Sequence, residues 1–242
     1  MKQIAFLRKK DGLARAEFIR LYEEEHAKLI ARLLPFFAQY RRGYPIDGEQ
    51  GDDAAFAHDA IMEMWFASPD RQAAMASRIA EPAIGEEMRR DEERLFDRPA
   101  MVMFTVDEHG APAAAPRKTF LLARKRPDIP REAMIRQYEE TVAPALLSAL
   151  EAHGLRAPRS FCRNYPVPGG TFRMPHLDTA AYPADFDAII EIGFREAPDH
   201  QAFRRLLKGG PVADLLAGGA SGMLDPAHLI HLDVEEYSSA PL

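Results

Sequence analysis

His26 is the residue in this chain best suited to moving protons, because an imidazole takes and returns one near neutral pH. It lies in "IRLYEEEHAKL" (19–29), where Phe18, Tyr22, His26, Leu29 and Leu33 recur at helical spacings of three or four and share one stripe. The stripe is otherwise apolar, so the imidazole points inward and needs partners for its ring nitrogens. Asp91, in "RRDEERLFD" (89–97), is the candidate to orient the ring. Tyr40 is the candidate to bind or protonate a substrate oxygen, and Tyr22 to line the same site. One His with Tyr and Asp supports dehydration, isomerisation or ring closure without a metal or nucleotide. A buried structural network built from the same three residues is the competing reading.

A strand-like stretch, "DAIMEMWF" (59–66), carries two further candidates for substrate contact, Glu63 and Trp65. Alternation puts Asp59, Ile61, Glu63 and Trp65 on one face. If that face is interior, Glu63 and its counterpart Glu191 are buried carboxylates with raised pKa values. The alternative is pairing with an arginine such as Arg8 or Arg124. His176 and Tyr182, in the long Pro/Gly/aromatic segment 164–186, are candidates to cover a pocket.

These residues belong to a chain that repeats itself. "IRQYEETVAPA" (135–145) matches 19–29 at an offset of 116, and Lys2, Arg8, Lys9, Arg15, Tyr22 and Glu23 meet identical partners there. The offset rises to 121 at "YRRGYP" against "FCRNYP", then to 128 at "DAIMEMWF" against "DAIIEIGF" and "FDRPAMVMFTVDE" against "LDPAHLIHLDVEE". The increases fall in Pro/Gly-rich segments, as loop insertions do. This is the pattern of a duplication. The copies differ where the chemistry would be. His26 becomes Val142, Tyr40 becomes Phe161, Trp65 becomes Gly193 and Asp91 becomes Gly219. The second copy is read as scaffold, with a large volume emptied at Gly193.

Each copy reads as strand, helix, strand, strand, helix, strand. In the first, "QIAFL" is a strand, 14–34 a helix, "FFAQYRR" and "DAIMEMWFA" strands, 70–95 largely helical and "AMVMFTV" the last strand. The fold class expected is α+β: two ferredoxin-like βαββαβ units, 1–108 and 118–242, joined by an Ala/Pro linker at 109–117. Bare sheet faces would bury each other in one pseudo-symmetric α/β barrel.

With "IAFLRKKDGLARAEFIRLYEEEHAKL", Tyr40, "DAIMEMWF" and "RRDEERLFD" in place, the chain resembles the EthD-like family of the dimeric α/β-barrel superfamily. The likeness covers most of 1–108 and is weaker in the second copy. One departure is "HAKL", where the family usually shows "HAPL". The resemblance implies the barrel and a pocket for a small hydrophobic or aromatic ligand. Superfamily relatives include polyketide cyclases, dehydratase- or decarboxylase-like enzymes, cofactor-free monooxygenases and haem-dependent enzymes. The alternatives to acid/base chemistry are therefore a cofactor-free oxygenase or a non-catalytic binding or accessory protein. No cofactor is expected, and haem held through His26 is a minor alternative.

Bulk properties narrow the field. The 242 residues are 47% hydrophobic and 28% charged, with a formal net charge of −6. A net negative chain repels phosphate, which argues against nucleic acid and anionic membrane as partners. Cys162 is the only cysteine, so neither an intrachain disulfide nor a Cys-based zinc site is available. His228 and His231 lie three apart in a predicted strand and point to opposite faces, so no metal site is expected; His231 with Asp233 is the weak exception. "MKQIAFLRKK" has too few apolar residues for a signal peptide, and a reduced cytoplasmic setting is the expectation. The chain would close its own barrel as a monomer or dimerise through other faces.

Overall fold

The computed structural model describes residues 1–46, 58–172, 186–216 and 222–239. Eight strands close into one antiparallel barrel: β1 (Lys2–Leu7), β2 (Phe37–Pro45), β3 (Ala60–Phe66), β4 (Val102–Ala111), β5 (Arg117–Lys125), β6 (Ser160–Phe172), β7 (Ala188–Phe194) and β8 (Leu224–Ser239). The strand order is β4-β1-β3-β2-β8-β5-β7-β6, with β6 returning to β4. The chain's two halves therefore meet along two seams, β2 with β8 and β4 with β6. Closure removes exposed strand edges.

Helices cover the outside. The first is one long rod: α1 (Arg15–Leu21), a π-helical segment at Tyr22–His26 and α2 (Ala27–Leu33). Its second-half counterpart is α5 (Arg131–Gln137), a π segment at Tyr138–Val142 and α6 (Ala143–Ala152). The stretch read as largely helical over 70–95 holds two helices, α3 (Pro69–Ile79) and α4 (Pro82–Leu95). Each starts on a proline, which suits a helix's first turn but not its interior. Ser68 caps α3 by accepting from the Arg71 N–H. Later, α7 (Ala197–Leu207) and the short α8 (Pro211–Leu216) cover the second half.

Every residue of β1, β3 and β7 is buried, because one face meets helices and the other meets the barrel interior. Alternation sorts them. Ala5 and Leu7 pack under the first-half helices, whereas Ile4, Phe6, Ile61, Phe104, Phe120, Leu122, Ile189 and Leu232 form an apolar core within the barrel.

The rest of the interior is ionic. Lys2 Nζ lies 2.7 Å from Glu63, 2.9 Å from Glu108 and 3.5 Å from Glu191. Lys118 Nζ lies 2.7 Å from Glu191 and 3.1 Å from Glu63, and also pairs with Glu236. Lys2 and Lys118, Glu63 and Glu191, and Glu108 and Glu236 occupy matching positions of the two halves, and each lysine reaches a glutamate of the other half. The carboxylates thus pair with lysines rather than Arg8 or Arg124. Arg8 lies by Asp11 and Asp97 instead. Glu191 is not raised as a buried acid would be. Burial pushes it up, but Lys118 and Lys2 outweigh burial and hold it far below the usual carboxylate range.

Two further expectations change. The Ala/Pro join is shorter than 109–117, because β4 runs to Ala111 and β5 starts at Arg117. Nor does Gly193 leave an empty volume where Trp65 stands in the first half. A Cβ on Gly193 would come within 2.7 Å of the Ala115 Cβ and 3.0 Å of the Ser160 Cβ, so the join fills that space.

Glu191→Gln removes a carboxylate that both buried lysines contact and costs about 3–5 kcal/mol of stability at neutral pH. Because the folded-state pKa is depressed, this contribution is complete above the ordinary value of 4.5 and is lost as pH falls through the folded one. Denaturant titrations of both proteins from pH 7 down to pH 3 measure it. The gap should narrow below about pH 4.5, and a gap constant with pH contradicts the ionic account.

Candidate functional site

The π segment sets the geometry of the site. The Ala27 N–H donates to the Tyr22 carbonyl five residues back, so this turn holds one residue more than an α-turn. Tyr22 and His26 both end up buried, as their spacing predicts. Beyond them the stripe shifts: Ile30 rather than Leu29 is the fully buried residue.

Under this rod, between helices and sheet, lies a cavity of about 210 Å³. Its polar lining is Tyr22, His26, Tyr40 and Glu92. Six of the chain's ten methionines face it: Met62, Met64, Met75, Met88, Met101 and Met103. Thioether side chains adapt to a guest's shape and make favourable contacts with aromatic rings.

His26 Nδ1 lies 2.5 Å from Asp91 Oδ2. Asp91 Oδ1 in turn accepts from Arg94 Nε at 3.0 Å and Nη2 at 2.7 Å, and Arg94 Nη1 reaches Glu25 at 2.7 Å. Burial alone would raise the Asp91 carboxyl, but hydrogen bonds from His26 and Arg94 hold it below the usual range. An ionised Asp91 accepts, so Nδ1 carries the hydrogen, and the free lone pair belongs to Nε2. Nε2 has no partner among the described residues, while the ring lines the cavity. Tyr22 and Phe96 clamp the ring edge-to-face, with centroids 4.9 Å and 5.1 Å away.

Tyr40 and Tyr22 join hydroxyl to hydroxyl at 3.0 Å. Burial pushes the Tyr40 hydroxyl up to about 12 and Tyr22 well above its ordinary value. Behind them Glu23 accepts from Tyr44 at 2.6 Å and from Arg42 Nε at 3.0 Å. The second half repeats that support: Glu139 accepts from Tyr165 at 2.7 Å and Arg163 Nε at 3.0 Å. What it lacks is the cavity's polar wall. Val142 stands for His26 and Phe161 for Tyr40, so the buried Tyr138 hydroxyl, at the Tyr22 position, has no hydrogen-bond partner among the described residues.

The structure therefore brings His26, Asp91, Tyr40 and Tyr22 together. It does not bring Glu63 and Trp65 to them. Those two face the barrel interior, where Trp65 Nε1 donates to Glu108 at 3.0 Å and Lys2 lies over the indole ring, 4.5 Å from its centroid. His176, Tyr182 and Gly219 lie outside the described residues. Glu92 escaped the sequence reading. The signal was a carboxylate between Met88 and Leu95 in the apolar stripe of α4.

Haem on His26 does not fit. The cavity is smaller than the roughly 300–1,000 Å³ of sites for drug-sized ligands, and a porphyrin exceeds most of those. Among the described residues, no group of three or more His, Cys, Asp or Glu could hold a metal ion. Asp233 is engaged by Thr119 at 2.5 Å, His200 at 3.0 Å and Arg204 at 2.6 Å.

The hydroxyl pair makes opposite predictions for the two halves. Tyr138→Phe removes an unsatisfied buried group and raises stability by about 1 kcal/mol, whereas Tyr22→Phe strands the Tyr40 hydroxyl and lowers it by about as much. Urea titrations of both variants check the sign difference.

Residues 10–99 match the EthD domain model. No curated protein sequence matches the chain. Among solved structures, a monooxygenase candidate from Lactobacillus acidophilus NCFM superposes with a TM-score of 0.55 at 11% identity, covering 99% of this chain and 95% of that one. A candidate chlorite dismutase gives 0.52 at 10% identity, covering 98% and 94%. At such identities the likeness is one of fold: an eight-stranded antiparallel α+β barrel with outer helices. Over residues 10–99, the chain is similar to the EthD domain.

Proposed function

We propose that the first half of this chain is an acid/base catalyst for a small, hydrophobic or aromatic carbonyl compound bound in the methionine-lined cavity. The observation that carries this reading is the state of His26: Nδ1 fixed on a carboxylate at 2.5 Å, Nε2 unpartnered among the described residues, and the ring on the cavity wall. That is the arrangement of an oriented general base. Tyr40 hydrogen-bonds the substrate oxygen, Tyr22 holds Tyr40, and Asp91 stabilises the imidazolium that forms. Dehydration, isomerisation and ring closure all begin with such a proton abstraction next to a carbonyl.

In the same reading the chain is two ferredoxin-like units, 1–108 and 118–242, the second serving as scaffold. It works in the cytoplasm without a cofactor. No helix among the described residues is long and apolar enough to cross a membrane. The oxygenase reading has no specific support in the cavity, and six thioethers facing it would be the first targets of a released oxidant.

β-Tetralone, a neutral bicyclic ketone with an acidic C–H beside its carbonyl, is a suitable probe. The protein should accelerate its hydrogen–deuterium exchange, followed by NMR, and His26→Ala should lower that acceleration by about a hundredfold or more. Exchange that is the same with and without the imidazole, in a folded variant, would remove the catalytic reading and leave a binding protein.

A further inference from the structure

His26, Asp91, Tyr22 and Tyr40 leave one polar group of the cavity wall without a task. Glu92 is 5% exposed, lines the cavity and follows Asp91 directly on α4. Successive helical residues point about 100° apart. Asp91 accordingly meets the imidazole from outside the cavity, while Glu92 faces the cavity itself. Its Oε2 accepts from Arg98 Nε at 3.0 Å, and its carboxyl has no other hydrogen bond among the described residues. The pairing has no second-half counterpart, since Arg98 aligns with Pro226.

Tyr40 is poorly suited to protonating a leaving group, because burial pushes its hydroxyl up to about 12. It can give a hydrogen bond but gives up its proton reluctantly. Burial also raises the Glu92 carboxyl, against the pull of Arg98, toward its proton-bearing form. Two titratable groups of different character on one cavity wall are what a reaction with two proton transfers requires. The lining contains no lysine or arginine, so an anionic guest would lose its hydration without gaining a counter-charge.

Building on the acid/base reading of His26, we propose that Glu92 is the site's second acid/base group and that the reaction it completes is loss of water from a neutral β-hydroxy ketone. His26 Nε2 takes the proton from the carbon between the carbonyl and the hydroxyl-bearing carbon. The C–H electron pair becomes the new C=C bond, and the C–O bond breaks with its pair on oxygen. Glu92 gives its proton to that oxygen, and water leaves. His26 is then protonated and Glu92 ionised, and one proton passed from imidazolium to carboxylate restores both. No oxidant or reductant is consumed.

Two probes on the full chain separate this proposal from the reading it builds on. One is β-tetralone exchange, which needs only the base. The other is the aldol of acetone and benzaldehyde, whose dehydration to benzylideneacetone is followed by absorbance. Glu92→Gln should lower elimination about a hundredfold more than it lowers exchange, and Glu92→Asp should recover at least about a tenth of the elimination. Equal losses in both reactions, no loss in either, or a wild type that exchanges β-tetralone yet forms no benzylideneacetone would each overturn the proposal. All three leave His26 as the base provided exchange still depends on it. Exchange independent of His26 is the separate signature of failure of the underlying reading.

Discussion

The barrel depends on a buried cluster of two lysines and four glutamates. Lys2 and Lys118 are each about 1% exposed, and together they bind Glu63, Glu191, Glu108 and Glu236 across the interior. Taking such groups out of water is costly, and only close mutual pairing offsets it. The two halves share this network, because each lysine pairs with glutamates of its own half and also reaches a glutamate of the other. The interior therefore keeps the same residue types at matching positions. The helix-covered outer faces carry no such mutual demand.

Those outer faces show what is common and what is particular. Both halves have the π segment and the Glu–Arg–Tyr support beneath it, Glu23 with Arg42 and Tyr44, and Glu139 with Arg163 and Tyr165. Only the first half adds His26, Tyr40, Asp91 and Glu92. The cost of their absence is visible in the second half, where the Tyr138 hydroxyl is buried without a partner among the described residues. A hydroxyl kept at that position without its partner marks the first half as the one whose tyrosine pair is intact.

Much of this was legible in the sequence, for physical reasons that differ by residue. The shifting offset between the halves located the strands, and the helical stripe put Tyr22 and His26 inward. The difference between His26 and Val142 pointed to the site. The partners of Glu63 and Glu191 were not legible, because Lys2 and Glu191 stand 189 residues apart and meet only when the barrel closes. The π turn moved the stripe from Leu29 to Ile30, since regular spacing assumes a regular helix. Gly193 looked like a void because sequence shows a missing side chain but not the neighbours, Ala115 and Ser160, that take its place. Glu92 was hidden beside Asp91 in a run of charges that reads as solvated surface.

The central claim is that Asp91 holds His26 with Nδ1 protonated and Nε2 free toward the cavity. Nitrogen-15 NMR of the imidazole, across pH and in Asp91→Asn, tests this directly. The predicted result is the Nδ1–H form in the neutral ring, with that tautomer preference lost when the carboxylate is removed. A neutral ring protonated on Nε2, or a tautomer balance unchanged in Asp91→Asn, would contradict it.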